Sequence, residues 1–178
     1  MKYTNRYNLP KSFEEAVIKT TYDISKRDKN SISVTTLINP PRISLLRLRH
    51  WEKIKQDVSD SLWMILGSAI HYIMQQIDDK DRFIEEKLKE PILDWIITGK
   101  ADLYDANEKA VIDYKVTSVY AVKYDKKEWA SQLNLYAWFY RKLGFEVNKL
   151  RINAILRDWN KSQTFKQKDY PPIPFKEI

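Results

Sequence analysis

Two carboxylates and a lysine near the middle of the chain have the residue types that metal-assisted phosphate chemistry needs. Asp113 and Lys115 stand two residues apart in Ile-Asp-Tyr-Lys-Val, so in a strand their side chains share a face, about 6–7 Å apart. We expect Asp102 to lie beside Asp113 across a hairpin. Two neighbouring carboxylates repel each other unless a cation lies between them, and Mg²⁺ prefers such oxygen ligands. A lysine beside the ion can stabilise charge on water or phosphate, which indicates phosphodiester hydrolysis.

A bare Asp-x-Lys pattern also has a second interpretation. An aspartate and a lysine on one strand face are more often a solvated surface with a weak ion pair than a catalytic pair. The surrounding residues therefore decide between the two interpretations.

The elements that position these residues follow from periodicity and turn composition. The spacing of apolar residues predicts helices at residues 12–27, 42–55, 60–77 and 127–143. The last has an apolar face, which makes Tyr136 a core candidate, and Gly144 as its C-terminal cap; the face consists of Trp129, Leu133, Tyr136 and Tyr140. Strand patterns occur at residues 83–89, 93–104, 110–117 and 149–157. Residues 105–109 have turn composition, which makes the second and third strands a hairpin, and the strands flanking the last helix can be parallel. This order predicts an α/β fold with a small mixed four-stranded sheet flanked by helices.

The helix predicted at 60–77 carries the histidine of most interest, His71. Its apolar stripe consists of Leu62, Leu66, Ala69, Ile70, Ile73 and Ile77. His71 lies on the border of this stripe, and Gly67 one turn earlier leaves space for another group although glycine costs about 1 kcal/mol of helix propensity. A histidine at such a border is more often a hydrogen-bonded structural residue than a ligand.

Charge is distributed unevenly along the 178 residues. The net charge is +7, and residues 1–55 hold twelve Lys and Arg against five Asp and Glu, whereas the remainder is balanced at nineteen of each. A localised basic excess indicates a polyanionic partner, because contacts with phosphates release counterions. A solvated basic face that aids solubility explains the same excess equally well.

Composition excludes several classes of site. The chain has no cysteine, so it can form no disulfide, thiolate zinc site or cysteine-held iron–sulfur cluster. No apolar run is long enough for a transmembrane helix and no signal core follows the first residues, which fits a cytoplasmic protein. Six tryptophans and eleven tyrosines invite base stacking, but most have core spacing and we interpret them first as core.

Four segments, in order, resemble the RecB-like exonuclease branch of the PD-(D/E)XK nuclease superfamily. They are Gly67-Ser-Ala-Ile-His71, Gly99-Lys-Ala-Asp102, Ile112-Asp-Tyr-Lys115 and Gln132-Leu-Asn-Leu-Tyr136. Each motif is weak alone, but four in this order and spacing are specific, and the resemblance spans about residues 31–160. It implies a restriction-endonuclease-like core and a metal-dependent nuclease.

The resemblance also implies roles for individual residues at the reaction centre. Mg²⁺ or Mn²⁺ would be held by His71, Asp102, Asp113 and the main-chain carbonyl of Tyr114. Lys115 would position or activate the attacking water or stabilise the transition state, with Asp102 and Asp113 as its catalytic partners. Because the chain lacks cysteine, the resemblance is to the phage and recombination types without an iron–sulfur cluster.

Other residues would contact the substrate. The resemblance implies that Gln132 and Tyr136, one helical turn apart, touch the nucleic-acid backbone. Residues 31–42 lie where such nucleases carry a substrate-contacting stretch, and Arg42 is a candidate phosphate ligand there. Glu86 on the first strand is a candidate extra carboxylate near the metal.

The expected function is a deoxyribonuclease, an exonuclease of DNA recombination, repair or phage DNA processing that uses metal-activated water. A structure-specific endonuclease and an inactive nucleic-acid-binding module remain as alternatives. The expected partners are DNA and a recombination protein or helicase, with no membrane, in the cytoplasm of the cell or of a phage host. A single nuclease domain is expected over residues 1–178, with a basic helical region at 1–58, the core at 59–160 and a Pro-rich tail at 161–178. From Lys166 onward the tail is expected to be a surface extension.

Overall fold

The computed structural model of the protein describes residues 1–21, 28–77, 80–124 and 126–178. The helices in these ranges are α1 (Lys11–Thr20), α2 (Val34–Leu37), α3 (Pro41–Arg49), α4 (Leu62–Met74), α5 (Val119–Lys123), α6 (Lys127–Lys142) and α7 (Lys161–Thr164). The strands are β1 (Lys2–Thr4), β2 (Ser31–Ser33), β3 (Lys55–Asp57), β4 (Arg82–Ile84), β5 (Lys87–Ile92), β6 (Trp95–Lys100), β7 (Leu103–Asp105), β8 (Ala110–Thr117), β9 (Lys149–Leu156) and β10 (Phe175–Glu177). None of these helices has the length and apolar character needed to cross a membrane.

The central sheet is mixed and has the strand order β10-β9-β8-β7-β4. Strands β8 and β9 are parallel, and the other pairs in this sheet are antiparallel. The α/β class is therefore confirmed, but the predicted four strands are wrong because β10 adds a fifth. Residues 175–177 of the Pro-rich tail pair with β9, which makes the tail part of the sheet rather than a surface extension.

Helix α6 connects the parallel strands β8 and β9 and packs on both, as the apolar face of its sequence predicts. Leu133, Tyr136 and Tyr140 are buried in the main core together with residues of both strands. The helix ends at Lys142 and is followed closely by Gly144, whose φ of +89° gives the left-handed conformation that glycine adopts without strain. The predicted helix, its apolar face and its C-terminal glycine are confirmed.

The strands predicted at 83–89 and 93–104 are each divided between two sheets. The start of the first (β4) and the end of the second (β7) belong to the central sheet. The remaining parts, β5 and β6, form a three-stranded sheet with β2. One break lies at Glu85, whose φ of 55° is in the left-handed region, and the other at Asp102, between β6 and β7. The N–H of Glu85 donates to the carbonyl oxygen of Asp102 at 3.0 Å, so both segments change sheets at one point.

The N-terminal helices are shorter than their sequences predict. The described part of the helix expected at 12–27 is α1, and residues 22–27 lie outside the described residues. Of the helix expected at 42–55, only α3 forms, because a 3₁₀ turn and β3 follow it and β3 pairs with β1. The N-terminal third is therefore not purely helical, since β2 also joins the three-stranded sheet.

Helix α4 corresponds to the prediction at 60–77 but does not bury its apolar stripe. None of its residues is buried, and Leu66, Ile73 and the following Ile77 are exposed. The apolar stripe that the sequence predicts is therefore only partly covered by the rest of the fold. One end of the helix still packs on the central sheet, where Met74 lies with Leu103 and Tyr114 around a small pocket.

Candidate metal centre

Asp102 and Asp113 lie next to each other at the edge where β7 meets β8. The register pairs Leu103 with Ile112, so Asp102 and Asp113 come one residue beyond the last paired position. The Oδ2 of Asp102 accepts a hydrogen bond from the main-chain N–H of Tyr114 at 2.8 Å. In an extended strand the N–H and C=O groups of one residue point to the same side. The main-chain carbonyl of Tyr114 therefore points to the same side of β8 as its N–H, which is the side of Asp102.

His71 reaches this edge from α4. Its Nδ1 lies 3.4 Å from the carboxylate of Asp102 and 3.4 Å from that of Glu85. Ligand atoms of the three residues lie within 4.8 Å of one another, close enough for a single cation to contact all three. Imidazole and carboxylate donors of this kind suit a divalent ion such as Mn²⁺.

The extra carboxylate at this centre is Glu85 and not the expected Glu86. Glu86 is exposed and contacts none of His71, Asp102 and Asp113, whereas Glu85 is bonded to His71 and paired with the ammonium of Lys100. Alternation along an unbroken strand at 83–89 cannot predict this, because the left-handed backbone at Glu85 changes the direction of the side chain. Lys100 was also missed, although it stands two residues before Asp102, inside the glycine-aspartate motif.

Asp113 and Lys115 share a face of β8, as alternation predicts. Asp113 is 1% exposed, and the ammonium of Lys115 lies 2.7 Å from its Oδ2 and donates to its Oδ1 at 3.0 Å. The angles allow a hydrogen bond to Oδ1 only, so the buried Oδ2 has an ion-pair partner but no hydrogen-bond donor among the described residues. A buried carboxylate oxygen in this state retains lone pairs for a cation.

Lys115 also connects the centre to α6. Its ammonium donates to the side-chain oxygen of Gln132 at 3.2 Å, and the amide of Gln132 donates to the hydroxyl of Tyr136 at 3.2 Å. These contacts form one continuous polar chain that runs from Asp113 through Lys115 and Gln132 to Tyr136. Tyr136 is both a core residue and part of this chain, so both interpretations of its position apply.

Gly99 allows α6 to approach this closely. A Cβ at this position would lie 2.8 Å from the ring of Tyr136 and 3.1 Å from Val34. Real Cβ atoms do not come this near, so any side chain would push α6 away from β6. In the motif at residues 99–102, Gly99 therefore allows close packing of α6, and Asp102 supplies the polar group.

Burial and neighbouring charge shift the pKa values of the four ionisable groups at the centre. Burial, followed by the charge of Asp113, raises the pKa of Asp102 to about 7. Burial also raises the pKa of Asp113, and the hydrogen bond to Glu85 raises that of His71. Burial opposes ionisation of Glu85, but hydrogen bonds from His71 and Lys100 outweigh it and lower its pKa to about 2. Burial and neighbouring charge therefore favour retention of a proton by the pair of His71 and Asp102, and a bound cation would compete with it.

His71, Asp102 and Asp113 line an open cleft of about 630 Å³ between the two larger sheets, α2 and α6, and Glu85 lies outside its lining. Its lining is polar and basic as well as acidic, and comprises Ser33, Val34, Thr35, His71, Lys87, Thr98, Gly99, Lys100, Asp102, Asp113, Lys115, Gln132 and Tyr136. Arg42 is exposed at the start of α3 and does not line the cleft, although Ser33 and Thr35 from the same expected stretch do.

The fold and this cluster define an α/β protein with a candidate divalent-metal site in a cleft. The fold is similar to that in the crystal structure of SSO0001, with a TM-score of 0.63 over 93% of this chain and 74% of that chain. The two sequences are 20% identical in this alignment, a level at which the likeness shows the fold alone. No protein-family model and no curated protein sequence matches the chain.

Proposed function

We propose that the protein is a metal-dependent deoxyribonuclease of the PD-(D/E)XK superfamily, in its RecB-like branch. The observation that carries this proposal is the convergence of His71, Asp102, Asp113 and Lys115 in the cleft. These residues come from three motifs that are distant in sequence, and a solvated surface pair of Asp113 and Lys115 has no need of burial or of a histidine. On this proposal the central sheet is the core of a restriction-endonuclease-like fold.

The donor set fits a hard or borderline divalent cation. The ligands would be His71, Asp102, Asp113 and the main-chain carbonyl of Tyr114, with Glu85 in place of Glu86 as the additional carboxylate. Asp113 Oδ2 is buried and has the ammonium of Lys115 2.7 Å away as its ion-pair partner but no hydrogen bond, so it retains lone pairs for a cation. Mg²⁺ or Mn²⁺ bound there would supply Lewis-acid stabilisation of the phosphate charge and would favour ionisation of water.

The protein's own residues would orient the reactants. Lys115, held between Asp113 and Gln132, keeps its ammonium at the centre, where it can stabilise negative charge on the phosphate or on the attacking oxygen. Gln132 fixes that ammonium and is fixed in turn by Tyr136. Gln132 and Tyr136 line the cleft and would contact the sugar-phosphate backbone.

Positive charge at the rim supports a nucleic-acid substrate. Lys87 of β5 lies opposite Lys100 of β6 and both line the cleft, with the ammonium of Lys100 paired with Glu85 and that of Lys87 available to a phosphate. Outside it, α3 exposes Arg42, Arg47 and Arg49 and has no acidic residue. Phosphate contacts of this kind do not depend on the base sequence of the DNA. Arg42 would therefore bind a backbone phosphate at a distance from the reaction centre.

Within this class we propose exonuclease action in recombination, repair or phage DNA processing, with Mg²⁺ or Mn²⁺ as cofactor and a recombination protein or helicase as partner. The open cleft, with lysines among its lining residues, suits a substrate held by its sugar-phosphate backbone. The endonuclease alternative differs in a single observable property, which is cleavage of DNA that has no ends.

The test is cleavage of end-labelled linear duplex, single-stranded and closed circular DNA with Mg²⁺, Mn²⁺ or EDTA. Loss of linear DNA alone, with metal and not with EDTA, is expected. The Lys115→Ala variant should lower the rate at least about a hundredfold, since it removes a preorganised charge at the reaction centre. Lys123→Ala is the matched control, because this exposed lysine on α5 bonds Gln167 and lies outside the cleft.

Each other outcome has a defined meaning. Cleavage of closed circles would replace the exonuclease by the endonuclease. Binding without cleavage of any substrate would favour the inactive nucleic-acid-binding module. Neither binding nor cleavage, or equal rates for the Lys115→Ala and wild-type proteins, would contradict the proposal.

A further inference from the structure

Trp63 is a large aromatic side chain that lies outside the hydrophobic core. It is 58% exposed on α4, a helix in which no residue is buried. Trp63, Gly67 and His71 occupy positions i, i+4 and i+8, which lie along one stripe of an α-helix. The tryptophan is therefore two turns, about 12 Å, from the histidine of the metal centre on the same side of the helix.

A guanidinium group covers one face of the Trp63 ring. The central carbon of the Arg157 guanidinium lies 4.7 Å from the ring centroid, a cation–π contact between two exposed side chains. No carboxylate of the described residues lies within ion-pair distance of Arg157. The neighbouring Asp158 instead accepts a hydrogen bond from the N–H of Val119 at 2.7 Å. The pair thus presents an indole ring and an unneutralised positive charge together.

The position of Arg157 follows from the parallel strands. It comes directly after β9, and its N–H donates to the carbonyl oxygen of Thr117 at the end of β8, at 2.9 Å. β8 is the strand that carries Asp113 and Lys115. The Trp63–Arg157 pair therefore lies beyond the C-terminal end of β8, four residues along that strand from Asp113, and α4 carries both Trp63 and His71.

Gly67 leaves the surface between them open. A Cβ at this position would meet no atom within 4 Å, so no packing reason for a glycine exists there. Glycine in a helix interior costs about 1 kcal/mol relative to alanine. The absence of a side chain leaves a smooth stretch of helix from Trp63 to His71, along which an extended strand can lie.

We infer that Trp63 and Arg157 form a base-stacking site for single-stranded DNA, from which the strand passes over Gly67 to the metal centre. The inference rests on the proposed function and adds the strandedness of the substrate at this side of the cleft. The indole ring stacks on a base of any sequence, and the guanidinium adds charge for the phosphate. In a duplex the bases are stacked on each other, so the site acts on a single strand or a frayed end.

The test is binding of a fluorescent oligothymidylate of about twelve nucleotides, measured by anisotropy in EDTA so that no cleavage occurs. Trp63→Ala should raise the Kd about fivefold or more, and Arg157→Ala should also weaken binding, whereas Trp63→Phe should restore most of the affinity. Trp95→Ala is the matched control, since this tryptophan is 49% exposed and begins β6, at the end remote from Lys100. The thermal unfolding midpoint of each variant excludes misfolding.

A second measurement detects the contact itself. An oligonucleotide that contains one 5-bromouracil is bound to the wild-type protein and the complex is irradiated. The cross-linked peptide is then mapped by mass spectrometry. A cross-link at Trp63 is expected. Equal Kd values for Trp63→Ala and Trp95→Ala, with cross-links elsewhere, would overturn the inference while the cleavage activity of the wild type stands. Failure of the wild type to bind or cleave DNA would instead contradict the proposed function on which this inference rests.

Discussion

The side chain of Asp102 accepts a hydrogen bond from the main-chain N–H of Tyr114, 2.8 Å away. This bond joins the residue between β6 and β7 to the middle of β8, and it places the carboxylates of Asp102 and Asp113 beside each other. The position of Asp102 thus depends on backbone geometry rather than on the packing of its own side chain. Since the bond uses Oδ2, Oδ1 remains available to His71 and to a cation.

Replacing Asp102 by asparagine should separate the structural from the metal-binding function of this residue. The amide oxygen can still accept from Tyr114, so the unfolding midpoint should change little. Loss of the charge should weaken Mn²⁺ binding about tenfold or more, because hard cations favour carboxylates. Titration calorimetry with Mn²⁺ and thermal unfolding check the two expectations. Unchanged Mn²⁺ affinity would contradict a ligand role for Asp102.

Glu85 and Glu86 offer a matched pair of substitutions. Glu85→Gln should lower Mn²⁺ affinity about tenfold to a hundredfold, since this carboxylate orients His71 or contacts the ion directly. Glu86→Gln removes the same charge one residue away and should leave the affinity unchanged. Calorimetric titration of both variants measures the difference. Equal effects would show that only the overall charge of the protein matters.

Metal affinity should rise with pH. The pKa of Asp102 is raised to about 7 by burial and then by Asp113, and the pKa of His71 is raised by its hydrogen bond to Glu85. A cation must compete with protons on these groups, so the apparent affinity should fall as the pH drops below about 7, by up to about tenfold per pH unit for each proton released. Mn²⁺ titrations in buffers of different ionisation enthalpy measure the released protons. A flat profile with no proton release would exclude displacement at this pair.

Replacement by alanine at Gly99 and at Gly67 should change the free energy of unfolding in opposite directions. Gly99→Ala would place a Cβ 2.8 Å from Tyr136 and should destabilise the fold by about 1–3 kcal/mol. Gly67→Ala meets open space in a helix and should stabilise it by about 0.5–1 kcal/mol. Urea unfolding of both variants gives the free energies. A stabilised Gly99→Ala variant would show that α6 and β6 can move apart freely.

Local patterns in the sequence were sufficient for several parts of this structure. Alternation placed Asp113 and Lys115 on one face of β8, helical periodicity predicted α6 with its apolar face, and Gly144 marked the end of that helix. These features depend on the residues within one element, which is why spacing alone predicts them. The resemblance of four motifs then suggested which of the distant residues would meet.

Tertiary structure alone decided which carboxylate completes the centre and where the chain changes sheets. Glu85 replaces Glu86 because a left-handed φ at Glu85 breaks the alternation, and the hydrogen bond from its N–H to Asp102 stabilises that break. Pairing of residues 175–177 with β9 likewise depends on a partner some twenty residues distant, which no local pattern contains. The exposure of Trp63 beside Arg157 is of the same kind, because burial depends on which surfaces the whole fold covers.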